Sequence, residues 1–200
     1  MLGKLRFVLW GLVLLAIAGL AFLLTRPAPS LPATTSRELP LSSIGGPFTL
    51  VDGAGRPFSS AKLAGKPFAI FFGFTHCPDV CPTTLARLAR LRAKLGKSEA
   101  AFAIVFVTVD PARDDPAAVG AYTGLFGTPV IGLTGSPAQI DQVKKAYAIY
   151  SAKAPLPGGD YGIDHTASVF VMDAAGKFVA TIAPDEADDV ALAKLERVVG

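Results

Sequence analysis

KPFAIFFGFTHCPDVCP, Lys66 to Pro82, decides how this chain folds, because its character changes twice within seventeen residues. Lys66 to Phe74 is a nearly unbroken apolar run with aromatic and β-branched side chains, the pattern of a strand buried on both faces. The turn THCPDVCP follows. Beyond it Leu85, Leu88, Leu91 and Leu95 recur at helical spacing, with Arg87, Arg90, Arg92 and Lys94 on the other side or toward the end, and Gly96 as the stop. A buried strand that runs into a helix through a cysteine-bearing turn predicts a layered α/β unit with its chemistry at the strand's end.

The flanking sequence extends that pattern. Upstream, FTLVD and RPFSS surround the turn GAGR and predict a hairpin. Downstream, AFAIVFVTVD, Ala101 to Asp110, is a second buried strand, and DDPAAVGAYTGLF starts a helix with Asp115 as N-cap and Pro116 at its first position. PVIGL, Pro129 to Leu133, is a short strand. SPAQIDQVKKAYAIY opens with a capping box, Ser136 and Gln139, and places Ile140, Val143, Tyr147 and Tyr150 on one face. SAKAPLPGGDYGIDH, Ser151 to His165, reads as a loop leading into SVFVMD and KFVATI, two strands joined by the DAAG turn. An amphipathic helix from about Asp185 to Val199 closes the chain. Alternating strands and helices, then a terminal hairpin and helix, predict an α/β domain with a mixed central sheet flanked by helices, in the element order of the thioredoxin-like fold.

Two segments precede this domain, expected to span residues 44–200. FVLWGLVLLAIAGLAFLLT, Phe7 to Thr25, has nineteen residues and no charge, about the length that crosses ~30 Å of hydrocarbon as a helix. No small-x-small cleavage site follows it, and no lipid-bearing cysteine, so residues 1–26 read as an uncleaved, single-pass anchor. Lys4, Arg6 and the amino terminus before the span put the N-terminus in the cytoplasm and the domain outside. Residues 27–43 belong to a proline-rich tether. With no Arg- and Ser-rich transit segment before residue 7, a bacterial inner membrane with a periplasmic domain is expected. The net charge of +3 resides entirely in Lys4, Arg6 and Arg26: the other sixteen basic side chains balance sixteen acidic ones. A neutral domain without basic runs excludes nucleic-acid binding.

The chain's two cysteines, Cys77 and Cys81, admit three readings: a structural disulfide, a redox pair, or two ligands of one metal ion. A disulfide here closes a ring with only three residues inside, so its entropic gain falls near the bottom of the ~0–5 kcal/mol range. The redox reading is stronger, because Cys81 and Pro82 begin the helix, where free backbone N–H groups and the helix dipole stabilise a thiolate. The spacing, however, is C-x-x-x-C rather than C-x-x-C. For metal, the remaining side-chain donors are His76, His165, Met1 and Met172. His76 adjoins Cys77 at a strand end, where neighbours point apart, which disfavours joint ligation. Two thiolates and one distant imidazole make a soft three-ligand site, better matched to copper than to closed zinc.

FGFTHCPDVCP, Phe72 to Pro82, VTVDPARDDP, Val107 to Pro116, and DYGIDHTASVFVMDAAGKF, Asp160 to Phe178, occur in the order found in the Sco/SenC family, and residues 44–199 resemble it throughout. The resemblance implies a membrane-anchored, thioredoxin-like protein that binds copper, as Cu(I) or Cu(II), and helps assemble the binuclear copper centre of cytochrome c oxidase subunit II. It places the ligands on Cys77, Cys81 and His165. It also implies two partners: subunit II, or a related copper oxidase, and a periplasmic copper donor. Passing copper on by ligand exchange requires no enzymatic turnover. The family equally implies the alternative, a thiol:disulfide oxidoreductase that uses Cys77 and Cys81 to keep the oxidase's copper-site cysteines reduced. A peroxiredoxin-like reading fails on the motif, since Thr75 stands only two positions before Cys77 and the required proline is missing. Asp79 is ordinary turn chemistry or a tuner of the site's charge, Asp110 ends its strand, and Asp160 and Asp164 are candidates to orient His165.

Overall fold

The structure, a computed structural model, describes Trp10, Leu15, Phe22, residues 44–96 and residues 101–200. The chain divides into two units, Met1–Glu38 and Leu39–Gly200. Trp10, Leu15 and Phe22 are helical and exposed. The rest of the expected span and the tether lie outside the described residues. Among the described residues no helix is long and apolar enough to cross a membrane.

In chain order the second unit contains β1 (Thr49–Asp52), β2 (Pro57–Ser59), β3 (Phe68–Gly73), α1 (Val80–Lys94), β4 (Ala103–Thr108), α2 (Pro116–Thr123), β5 (Val130–Thr134), α3 (Pro137–Ala146), β6 (Ser151–Pro155), β7 (Tyr161–His165), β8 (Val169–Met172), β9 (Phe178–Ile182) and α4 (Asp188–Val199). Seven strands form one sheet in the order β2-β1-β5-β4-β3-β8-β9. β3, β4 and β5 run parallel, whereas β8 is antiparallel to β3, β9 to β8, β1 to β5 and β2 to β1. The sheet is therefore mixed, with its parallel strands inside.

Every residue of β3 and β4 is buried, as their apolar runs require for strands covered on both faces. Side-chain alternation sends Phe71 and Phe72 to opposite layers. Phe71 meets Phe106, which meets Tyr122 of α2 at 5.3 Å between centroids. Phe72 meets Tyr147, just past α3, at 5.3 Å and Phe170 of β8 at 6.3 Å. The expected helix starts are present. Asp115 accepts from the backbone N–H of Ala118 at 2.7 Å, and Ser136 and Gln139 close a capping box.

Two expectations need correction. Ser151 to His165 is a hairpin rather than a loop: β6 and β7 pair from Pro155↔Tyr161 to Ser151↔His165 as a separate two-stranded sheet. Gly158 and Gly159, both at positive φ, supply its turn. Tyr150 does not continue the apolar face of α3. The helix stops at Ala146, Ala148 takes φ 53°, and Tyr150 is left exposed while Tyr147 is buried.

Candidate metal centre

β3 ends on Gly73, and the six residues from Phe74 to Asp79 carry the chain to the first turn of α1. Phe74 is buried, and its carbonyl accepts from the Cys77 N–H at 3.2 Å, so Cys77 is held in a tight turn at the end of the sheet. Cys81, the second residue of α1, points inward and is fully buried. Its sulfur lies against the strand end. A Cβ built on Gly73 would stand 2.7 Å from Cys81 Sγ, so the glycine leaves the space that the thiol fills.

The hairpin brings the third donor. His165 is the last residue of β7, and its Nε2 is 3.5 Å from Cys81 Sγ. The donor atoms of Cys77, Cys81 and His165 all lie within 4.8 Å of one another. The Nδ1–H of His165 donates to its neighbour's carbonyl, Thr166 O, at 3.0 Å, which leaves Nε2 with a free lone pair directed at the sulfurs. Edge contacts with Phe71 and Phe74, at 5.9 and 5.8 Å between centroids, fix the ring plane. Bonds of ~2.3 Å to sulfur and ~2.0 Å to nitrogen in a trigonal site would hold these donors about 3.7–4.0 Å apart. The observed spacing meets that with small adjustments. Among the described residues no other group of three or more His, Cys, Asp or Glu donors comes together.

The two thiols are electrostatically unlike. Both are free. The Cys77 sulfur accepts from the Cys81 thiol above all and from the Cys81 backbone N–H, which donates at 3.4 Å; against partial burial these contacts, with His165 beside them, bring Cys77 down to about 4. The same contact with Cys77, together with burial, pushes the Cys81 thiol far up. Position at the helix start alone predicts the stabilised thiolate on Cys81. In the structure the free N–H of the first turn serves Cys77, because the Cys81 side chain turns away from the helix end into the core.

His76 stands apart from this group. It is exposed, its Nδ1 contacts Thr75 Oγ1 at 3.1 Å, and it lies 3.7 Å from the buried carboxylate of Asp114. Asp79 is exposed and accepts from Thr83 Oγ1 at 3.2 Å. The candidate role of Asp160 and Asp164 is corrected. Nδ1 of His165 already bonds Thr166 O; Asp160 accepts from Arg113 and from its own neighbour's N–H; Asp164 points to solvent from the opposite face of β7. Asp110 does more than end a strand, because it is buried and accepts from Tyr161 and Arg113. Sequence reading also missed Asp114, which accepts from Thr75 and Thr108 beneath the cysteine turn. Its only sequence signal is its place in a quoted motif.

The sequence model described as SCO1/SenC matches residues 36–200. The mitochondrial SCO1 homolog 1 of Arabidopsis thaliana is 38% identical over 139 residues, 69% of this chain and 42% of that protein. The chain spans about half the length of the first curated relatives it matches. Among solved structures, Bradyrhizobium japonicum ScoI with copper bound superposes with a TM-score of 0.70 at 42% identity, covering 78% of this chain and 99% of that one. BsSco, described as having a disulfide switch and as a member of the Sco family of cytochrome c oxidase assembly proteins, superposes with a TM-score of 0.61 at 25% identity, covering 80% and 96%.

Proposed function

The chain belongs to the SCO1/SenC family, and from that premise we propose that it is a copper metallochaperone which loads the binuclear copper site of cytochrome c oxidase subunit II. The observation that carries this reading is the convergence of Cys77, Cys81 and His165 within 4.8 Å at the end of the sheet. Two sulfurs and one neutral imidazole nitrogen form a soft, three-donor set. It suits copper, whereas structural zinc asks for four donors.

The asymmetry of the thiols gives the transfer its direction. Cys77 is half-buried with its pKa held well down, so it is the sulfur that an incoming thiolate of the acceptor displaces first; Cys81, fully buried, releases the ion after it. Copper moves without change of charge, and each sulfur–copper bond broken on this chain is replaced by one on the acceptor. Loading Cys81 requires its proton to leave, which the bound cation promotes.

The remaining organisation belongs to the same proposal: a thioredoxin-like domain, supported by the parallel β3, β4 and β5 beside antiparallel β8 and β9, carried on residues 1–26 as a membrane anchor and 27–43 as a tether. The domain then faces the periplasm of a bacterial inner membrane and receives copper from a donor there. The test is a transfer assay. Copper-loaded chain is mixed with the apo soluble domain of subunit II under anaerobic conditions, and growth of the binuclear centre's absorption is followed. The reading predicts stoichiometric loading, lost in Cys77→Ser; an acceptor that loads equally from free copper and from the chain contradicts it.

A second reading has its own observation, the pairing of an ionised, half-exposed Cys77 with a protonated Cys81 beside it. The Cys77 thiolate can attack a partner disulfide and expel one partner sulfur. Cys81, on losing its proton, then resolves the mixed disulfide, leaving a Cys77–Cys81 disulfide and a reduced partner. His165→Ala separates the readings, since thiol exchange survives it and copper transfer does not.

A further inference from the structure

The short loop from Asp110 to Asp114 touches both halves of the three-donor group. One arm reaches the cysteine turn. Asp114, with no exposed surface, accepts from the Thr75 N–H at 2.9 Å, Thr75 Oγ1 at 2.6 Å and Thr108 Oγ1 at 2.5 Å. Thr75 stands two residues before Cys77, so this carboxylate fixes the backbone that delivers the first thiol.

The other arm reaches the hairpin. Asp110, 2% exposed, accepts from Tyr161 OH at 3.0 and 3.1 Å on its two oxygens and from Arg113 Nε at 2.6 Å. The Arg113 guanidinium lies 3.7 Å from the Tyr161 ring centroid, and its Nη1 donates to Tyr161 O at 2.9 Å and to Asp160 Oδ1 at 3.0 Å. Lys153 Nζ lies 3.9 Å from the centroid of the same ring. Tyr161 opens β7 and His165 closes it. The hairpin forms its own sheet, apart from the seven strands, so its position is not set by the main ladder.

We infer that the loop Asp110–Asp114 is a bracket that sets the separation between the cysteine pair and His165: Asp114 and Thr75 position Cys77, while Asp110, Arg113 and Tyr161 position His165. None of these residues belongs to the three-donor group. They act through the segments that carry it, which is the role that outer partners play around metal ligands. The inference rests on the reading of the three donors as one copper site, and its test is chosen to stand apart from that reading.

The experiment uses the full chain in detergent micelles, reduced and metal-free, with nitrogen NMR of the His165 imidazole. Tyr161→Phe keeps the stack on Arg113 and removes only the hydroxyl bonds to Asp110. Arg113→Gln removes the stack and the ion pair. Both are expected to move the His165 nitrogen signals away from the single Nδ1–H tautomer of the parent. Cys77 alkylation by iodoacetamide stays at the parental rate in Tyr161→Phe. Thr75→Val is expected to do the reverse, changing the Cys77 rate and leaving the imidazole signals in place. In copper(I) competition the hairpin variants are expected to bind about 10- to 100-fold more weakly, the usual effect of losing an outer partner. Unchanged His165 signals in Tyr161→Phe and Arg113→Gln would overturn the bracket. If the parent binds no copper(I), the copper reading fails and the imidazole signals still decide the bracket.

Discussion

Replacing Gly73 by alanine tests how tightly the end of β3 governs the thiol pair. The new Cβ would lie 2.7 Å from Cys81 Sγ and 3.1 Å from ring carbons of Phe71 and Phe106, well inside the ~3.5–4.0 Å at which such atoms rest. Gly73 has no positive φ to protect, so alanine on its own backbone account would gain about 0.5–1 kcal/mol in a strand. Overpacking a filled core costs about 1–3 kcal/mol. The rings of Phe71 and Phe106 have no exposed surface and little room to retreat, whereas the Cys81 sulfur, on a one-carbon side chain, is the atom that must move. A net loss of about 0.5–2 kcal/mol follows, a fall of roughly 2–7 °C in Tm for a domain of this size. Because the shortest contact is with sulfur, Cys81→Ala should absorb much of the cost. Thermal unfolding of the four members of the double-mutant cycle, reduced and metal-free, should show a coupling of about 1 kcal/mol between positions 73 and 81. Stabilisation by Gly73→Ala in the parent, or an equal cost in both backgrounds, refutes the reasoning.

The thiol asymmetry predicts that Cys77 remains reactive toward iodoacetamide down to about pH 5 while Cys81 resists alkylation, as peptide mapping after a pH series will show; equal labelling of the two contradicts it. The linkage sign follows. With Cys77 depressed from 9.0 to about 4, the folded chain binds fewer protons than the unfolded one between those values, so this group's stabilisation, full above about pH 9, declines as pH falls toward 4. The raised Cys81 pKa acts oppositely, giving stability that is complete below the unfolded thiol's pKa and declines as pH rises above it. Urea unfolding of the reduced protein against Cys77→Ala and Cys81→Ala across pH 5–10 should resolve the two slopes. Asp115→Ala deletes the 2.7 Å cap of α2 and should cost about 1 kcal/mol by the same assay, with Asp115→Asn recovering most of it. Leu88→Ala, at a position 1% exposed on the inner face of α1, should cost about 2–5 kcal/mol, with little effect on Cys77 alkylation at temperatures where the chain stays folded.

What could be read from the sequence was what local pattern encodes. The runs at Lys66–Phe74 and Ala101–Asp110 gave β3 and β4 because burial on both faces leaves no polar interruption, and Asp115, Ser136 and Gln139 marked helix starts because capping is a contact over three residues. The hairpin of β6 and β7 escaped. β6 ends on Pro155, both strands carry half-exposed residues without clean alternation, and they pair with each other rather than with the buried sheet. That error had a consequence at the site, since a strand fixes which residues share a face and so turns Asp164 away from the cysteines while His165 faces them. His165 itself was recognised through resemblance, because no local spacing links residues 84 positions apart. The same limit hid Asp114 and Arg113, whose contacts span 39 and 48 positions. The pKa order of the thiols was likewise invisible, for it depends on which way each side chain leaves the first turn of α1.

The central claim is that Cys77, Cys81 and His165 hold one copper ion together. Its most direct measurement is an anaerobic copper titration of the reduced chain beside His165→Ala, read by absorption and, for Cu(II), by electron paramagnetic resonance. Binding of one equivalent, with sulfur and nitrogen signatures in the parent and the nitrogen signature lost and affinity sharply reduced in His165→Ala, is the result the account predicts. No stoichiometric binding by the parent, or identical affinity and spectra in the variant, would contradict it.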